Sequence, residues 1–163
     1  AALRARLGAP PERPLVLLTL GGIAEPAPPL DALLAERRVE WLISGTERPA
    51  PHVIGLDSLV GWPFPRIAAS VDAVVGKLGY NTAVQAVASG VPMLYVRRPG
   101  FPDEPPLAAW LQAHHRAREL SAEQFRAGDW YEALQALLAL PRPPRPPLGG
   151  AEQAVRLLLQ RYG

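Results

Sequence analysis

The seven residues Gly76-Lys77-Leu78-Gly79-Tyr80-Asn81-Thr82 carry the densest chemistry in the chain, because Ala83, Val84, Ala86 and Val87 follow them at helical spacing. The first turn of a helix has N–H groups without carbonyl partners, and its aligned peptide dipoles place partial positive charge there. A phosphate is well accommodated at such a terminus. Gly79 removes bulk where an anion would approach, and Asn81 and Thr82 add side-chain donors next to Tyr80. Lys77, the only lysine, offers a mobile cation beside the phosphates. The same residue types serve an ordinary helix cap, in which Asn81 or Thr82 accepts from the backbone. A lone lysine is also commonly just a solvated surface charge. The residues alone leave both readings open.

Two other segments bear on ligand contact. Gly21-Gly22-Ile23 follows the first apolar run, and two positions without side chains let backbone approach a ligand closely, as they also allow a plain tight turn. The segment Arg97-Arg98-Pro99-Gly100-Phe101-Pro102-Asp103-Glu104-Pro105 reads as a long loop stiffened by proline. Asp103 and Glu104 can accept hydrogen bonds from sugar hydroxyls, while Arg97 and Arg98 can face phosphate or solvate the loop. Adjacent carboxylates do not make a glycosidase pair, which needs two groups set roughly 5–10 Å apart across a bond. The glycines do not make a dinucleotide fingerprint either: the third glycine and the acidic residue after the second strand are missing.

Composition narrows the remaining classes. The chain has no cysteine, which excludes disulfides and thiolate metal sites, and His52, His114 and His115 lack ligand spacing, so no metal is expected. Seventeen Lys plus Arg against 15 Asp plus Glu leave a net charge of +2, which does not call for a nucleic acid partner. The pI near 9.4 reflects arginine rather than a polybasic patch. No apolar run approaches the roughly 20 residues of a membrane span, and the first eleven residues hold no signal-peptide core, so a cytoplasmic location is expected. At 163 residues the chain is expected to close one core, as one domain over 1–163.

The elements that must position these residues alternate between two patterns. Short apolar runs predict strands at Leu15–Leu20, Val39–Ser44, His52–Leu56, Ala73–Gly76, Pro92–Val96 and Ala117–Leu120. Helical spacing predicts helices at Leu30–Arg38, Phe64–Ser70, Tyr80–Ser89, Pro106–His115 and Asp129–Leu140. Continuous apolar strands separated by helices imply an α/β fold, a parallel sheet of about six strands covered on both faces. Ser121-Ala122-Glu123-Gln124 fits a capping box, and Gly90 stands where the Tyr80 helix needs a left-handed residue to end. The proline-rich run Pro141–Pro147 predicts an extended strap. Beyond Gly149-Gly150, a last helix repeats Ala154, Leu157, Leu158 and Tyr162, and is expected to pack on the domain rather than on a partner. In open parallel sheets ligands bind beyond the carboxyl ends of the strands, which is where the segments after strands one, four and five lie.

The stretches Asp72-Ala73-Val74-Val75-Gly76-Lys77-Leu78-Gly79-Tyr80-Asn81-Thr82 and Ala88-Ser89-Gly90-Val91-Pro92-Met93-Leu94-Tyr95-Val96-Arg97-Arg98-Pro99-Gly100 resemble the C-terminal domain of GT-B glycosyltransferases. The pattern is similar to family 28 C-terminal domains, among them the UDP-GlcNAc transferase of peptidoglycan synthesis and bacterial glycosyltransferase-like proteins. The resemblance implies a single Rossmann-like domain, half of a GT-B fold, that holds a UDP-sugar without a cofactor or metal. It implies the diphosphate at Gly79, Tyr80, Asn81 and Thr82 with Lys77 beside it, the base near Leu56, and Gly21 and Gly22 lining the cleft. A ribose-binding glutamate of that pattern is matched by Gln85, and its sugar-contacting glutamine pair by Asp103 and Glu104. The acceptor site and catalytic base would come from an N-terminal domain outside this chain, so the catalytic residues are unassigned and this portion binds rather than turns over. Two rival implications are a non-catalytic nucleotide- or protein-binding domain and half of a UDP-GlcNAc 2-epimerase-like isomerase.

Overall fold

The computed structural model describes residues 2–21, 29–44, 50–98, 100–114, 116–141 and 149–162. Six strands run in parallel: β1 (Leu15–Thr19), β2 (Glu40–Ile43), β3 (Val53–Gly55), β4 (Ala73–Lys77), β5 (Met93–Val96) and β6 (Ala117–Leu120). Their spatial order is β3-β2-β1-β4-β5-β6. The order reverses between β1 and β4, so the chain leaves those two neighbours in opposite directions and opens a crevice at their carboxyl ends. Leu17 lies opposite Val74 and Thr19 opposite Gly76, which sets the turns after β1 and β4 side by side.

Side chains of a strand alternate between faces, and here both faces are dry. Leu15, Leu17, Leu42, Val74, Met93 and Tyr95 enter one core, whereas Val16, Leu18, Trp41, Val75 and Leu94 enter the other. The first core is closed by α1 (Ala2–Leu7), α3 (Phe64–Ala68), α4 (Tyr80–Ser89) and α5 (Glu104–His114). The second is closed by α2 (Leu30–Ala35), α6 (Ala122–Ala127) and α7 (Tyr131–Ala139). Covering both faces explains why the strands read as unbroken apolar runs. In the second core Trp130 meets Trp41 edge-on at 5.7 Å and Phe125 at 5.0 Å, and its indole N–H donates to the Gln124 carbonyl at 3.0 Å.

Helix α1 is absent from the sequence expectation. Its two buried residues, Leu3 and Leu7, are too few to announce a helix. Tertiary contacts fix it instead: Arg4 donates to the Asp72 carboxylate and, at 2.8 Å, to the Pro10 carbonyl, while the Leu15 N–H donates to the same carboxylate at 2.7 Å. Asp72, part of the stretch that carries the resemblance, thus closes the amino edge of the sheet.

Helix α4 has the expected bounds and ends on Gly90 at φ 68°, whose N–H reaches the Val87 carbonyl. The capping box also forms, Ser121 accepting from the Gln124 N–H and the Gln124 side chain from the Ser121 N–H, both at 3.0 Å. Helix α5 starts two residues earlier than expected. Pro105 and Pro106 fall in its first turn, where N–H groups have no intrahelical partner, so two prolines there cost no hydrogen bond. α2 and α3 are shorter than their apolar spacing suggests, and α7 begins at Tyr131 because Trp130 is drawn into the core.

The last helix, α8 (Gly150–Tyr162), corrects the expectation of packing on the domain: none of its residues is buried. Gln153 and Arg156 turn toward α4 and α5, while Val155, Leu158 and Tyr162 on another face stay exposed. A helical apolar stripe specifies that something can cover it but not what. Residues 142–147 of the expected strap lie outside the described residues.

Candidate functional site

Among the described residues, the β4–α4 connection leaves the first backbone donors of α4 without a side-chain cap. Leu78 is fully buried and its N–H donates to the Val96 carbonyl at 3.0 Å, which prolongs the sheet by one residue. Gly79 is the N-cap of α4, in extended conformation (φ −120°, ψ 144°), and its carbonyl receives the first helical bond, from the Ala83 N–H at 2.9 Å. No side chain caps the helix. The N–H groups of Tyr80, Asn81 and Thr82 precede the first helical bond and meet no helical carbonyl. The capping reading of Asn81 and Thr82 therefore fails: they are the second and third residues of the helix, not its cap. Tyr80 and Asn81 are exposed and Thr82 is half-buried.

Two glycines in this connection have different reasons. A Cβ on Gly76 would lie 2.1 Å from the Thr19 carbonyl oxygen, so this glycine lets β4 approach β1 at the crevice. A Cβ on Gly79 would meet nothing within 4 Å, and its backbone angles suit any residue. Among the described residues, no contact demands glycine at position 79.

Across the crevice Gly21 follows β1 in the left-handed region (φ 69°), exposed, with open space where a Cβ would project. Its turn needs glycine for conformation. Gly22 lies outside the described residues. Lys77 is not the mobile surface cation expected: it is the last residue of β4 and only 8% exposed. Gln85 stands in the second turn of α4 and donates to the Ser89 hydroxyl at 3.1 Å, along its own helix.

At the end of β3, Leu56 opens a short 3₁₀ helix (Leu56–Leu59) and packs on the first core. Beside it lies a feature outside the segments that the sequence singles out. Trp62 is half-buried against the same core, with the Arg66 guanidinium 4.3 Å from its ring centre, and Val60 next to it is 90% exposed. Extending the carboxyl-edge rule to strand three would have singled out Leu59-Val60-Gly61-Trp62-Pro63.

In the loop after β5, Asp103 is exposed and Glu104 is buried as the first residue of α5. The Glu104 carboxylate accepts from the Arg98 N–H, and its other oxygen lies 3.7 Å from Arg97 Nε. The Arg98 guanidinium lies 4.2 Å from the Phe101 ring centre, and its Nε donates to the Leu78 carbonyl at 2.8 Å. Tyr80 and Asp103 meet across a cavity of about 1150 Å³ between α4, α5 and the first turns of α8, walled by Val84, Leu107 and Trp110. Beneath it, burial pushes the Tyr95 phenol above its ordinary value and its hydroxyl accepts from Gln112 at 2.7 Å, so this tyrosine is a neutral part of the support.

The fold that brings these positions together is shared with solved structures. The glycotransferase of kitacinnamycin superposes over 94% of this chain with a TM-score of 0.61 and 17% identity. The spinosyn forosaminyltransferase SpnP superposes over 82% with a TM-score of 0.53 and 22% identity. The fold is that of one half of a GT-B glycosyltransferase. The chain spans only 41% and 39% of those two proteins. In sequence, 94 residues are 31% identical to part of the L-arabinokinase of Arabidopsis thaliana, covering 58% of this chain and 9% of that protein. No family model matches the sequence. Among the described residues, no helix is long and apolar enough to cross a membrane.

Proposed function

We propose that this chain is the donor-binding half of a glycosyltransferase, holding a nucleotide diphosphate sugar, with UDP as the nucleotide, for transfer to an acceptor hydroxyl. The observation that carries this reading is the uncapped start of α4 at the point where the strand order reverses. Three backbone N–H groups, the positive end of a ten-residue helix and an N-cap without a Cβ converge there, and they suit a diphosphate. The nucleoside lies toward Leu56, where Trp62 offers an aromatic surface to a base. The sugar lies toward Asp103 at the loop after β5. A pattern like that of family 28 and the peptidoglycan GlcNAc transferase supports the choice of UDP, and Gln85, whose amide donates to Ser89 in the free protein, has to turn to reach a ribose hydroxyl.

The reaction follows from that placement. An acceptor hydroxyl oxygen attacks the anomeric carbon from the face opposite the diphosphate, and the carbon–oxygen bond to the β-phosphate breaks as the new one forms. UDP leaves with the electron pair, and the hydroxyl proton passes to a base on the N-terminal domain that the GT-B pattern implies. The chain's contribution is electrostatic: fixed N–H groups take up the charge that grows on the leaving phosphate. Inversion at the anomeric carbon is the outcome of a single displacement.

A second reading is favoured by the arabinokinase match. A domain of this kind inside a protein named as a kinase suggests nucleotide or sugar-nucleotide binding without glycosyl transfer. UDP titration tests what both share: UDP at about 100 times its dissociation constant stabilises the chain by about 2.7 kcal/mol. Acceptor-dependent release of UDP from the longer protein then separates transfer from binding alone. If no nucleotide and no nucleotide sugar binds at millimolar concentration, both fail.

A further inference from the structure

We infer that Arg98 and Glu104 form a latch that makes the Gly79 turn and the loop after β5 move as one unit. Phosphate and sugar ends of the donor are then positioned by one rigid edge. This inference rests on the nucleotide-sugar reading for its consequence, but the latch itself is a property of the free protein.

The bonds form a continuous path. Leu78 is held through both backbone groups: its N–H by the Val96 carbonyl at 3.0 Å and its carbonyl by Arg98 Nε at 2.8 Å. Its side chain is fully buried. The next residue is Gly79, which has no side chain to hold it, and its helix has no side-chain cap. The direction of the Tyr80, Asn81 and Thr82 N–H groups therefore depends on how Leu78 is gripped. From Arg98 the path continues through its own N–H to the Glu104 carboxylate, and the Glu104 N–H returns to the Phe101 carbonyl at 3.1 Å. Glu104 suits the start of α5, where a negative charge faces the positive end of a helix. The Phe101 ring under the guanidinium restricts the loop further.

Arg98 and Glu104 are accordingly positioning residues. A simple loop staple would hold Arg97–Glu104 together and leave the β4–α4 turn indifferent, whereas a latch couples the two.

The test uses the full chain without ligand and then with UDP and uridine. In Arg98→Ala, and in Glu104→Ala, which removes the acceptor of the Arg98 N–H, amide exchange should accelerate about 10-fold or more on both sides of the latch. The informative amides are Leu78 and Ala83 on one side and Glu104 and Leu107 on the other. UDP affinity should fall about 10-fold or more in both variants, since a hydrogen bond to a charged group is lost, while uridine, which lacks phosphates, should bind unchanged. Acceleration confined to the loop after β5 overturns the latch, as does equal weakening of uridine and UDP. A wild-type chain that ignores UDP overturns the nucleotide reading instead, and the exchange pattern then decides the latch alone.

Discussion

Two helices in this fold begin in opposite ways, and the contrast bears on the proposed site. α6 satisfies its own start: Ser121 and Gln124 exchange side-chain and backbone bonds in a complete capping box. α4 leaves its start open, with glycine as N-cap, no side-chain bond, and Asn81 and Thr82 two and three residues too late to supply one. α6 follows the edge strand β6, where nothing is expected to bind, whereas α4 follows β4 at the strand-order reversal. α2, α3 and α7 also begin without a side-chain cap, so it is the place of α4 at the strand-order reversal, together with its open start, that supports the proposed phosphate site.

Substitutions at these two helix starts, and at the strand leading into α4, can break or sharpen that contrast. The largest effect on stability is expected at Gly76, where a methyl group would press on the Thr19 carbonyl. Gly76→Ala should destabilise the chain by about 3 kcal/mol, seen as a thermal midpoint lower by roughly 6–12 °C. A midpoint within a degree of wild type would show that the strands part easily. Next comes Gly79→Asp, which gives α4 the cap it lacks and sets a carboxylate where the diphosphate belongs. Stability should rise by a few tenths of a kcal/mol while UDP affinity falls by at least about 100-fold, some 2.7 kcal/mol. Unchanged affinity would place the phosphate elsewhere. The smallest effect belongs to Ser121→Ala, costing about 1 kcal/mol of stability with UDP affinity unaltered. Denaturant titration of these variants, paired with calorimetry, separates a helix start that serves the fold from one that serves a ligand.

Much of this architecture is legible in the residues. β1, β4 and β5 announce themselves because burial on both faces demands uninterrupted apolar side chains, and α4 is bracketed by Gly79 and Gly90. What escapes depends on distance between segments. Gly76 and Gly79 look alike in sequence, and only the approach of Thr19 shows that one serves packing. Glu104 reads as a loop acid because two prolines follow it, yet prolines fit a helix's first turn and carry Glu104 into a buried latch. Leu3 and Leu7 are too sparse to reveal α1 without Asp72 to hold Arg4. Trp62 also lies beyond the carboxyl end of a strand, but a 3₁₀ helix separates it from β3.

The most direct measurement is calorimetric titration of the full chain with UDP, alongside Gly79→Trp. The account predicts saturable binding to the wild type and none to the variant, with both chains unfolding at similar temperatures, because the space beside Gly79 is open. Equal binding by both chains, or no binding of UDP or any nucleotide sugar at millimolar concentration, would contradict it.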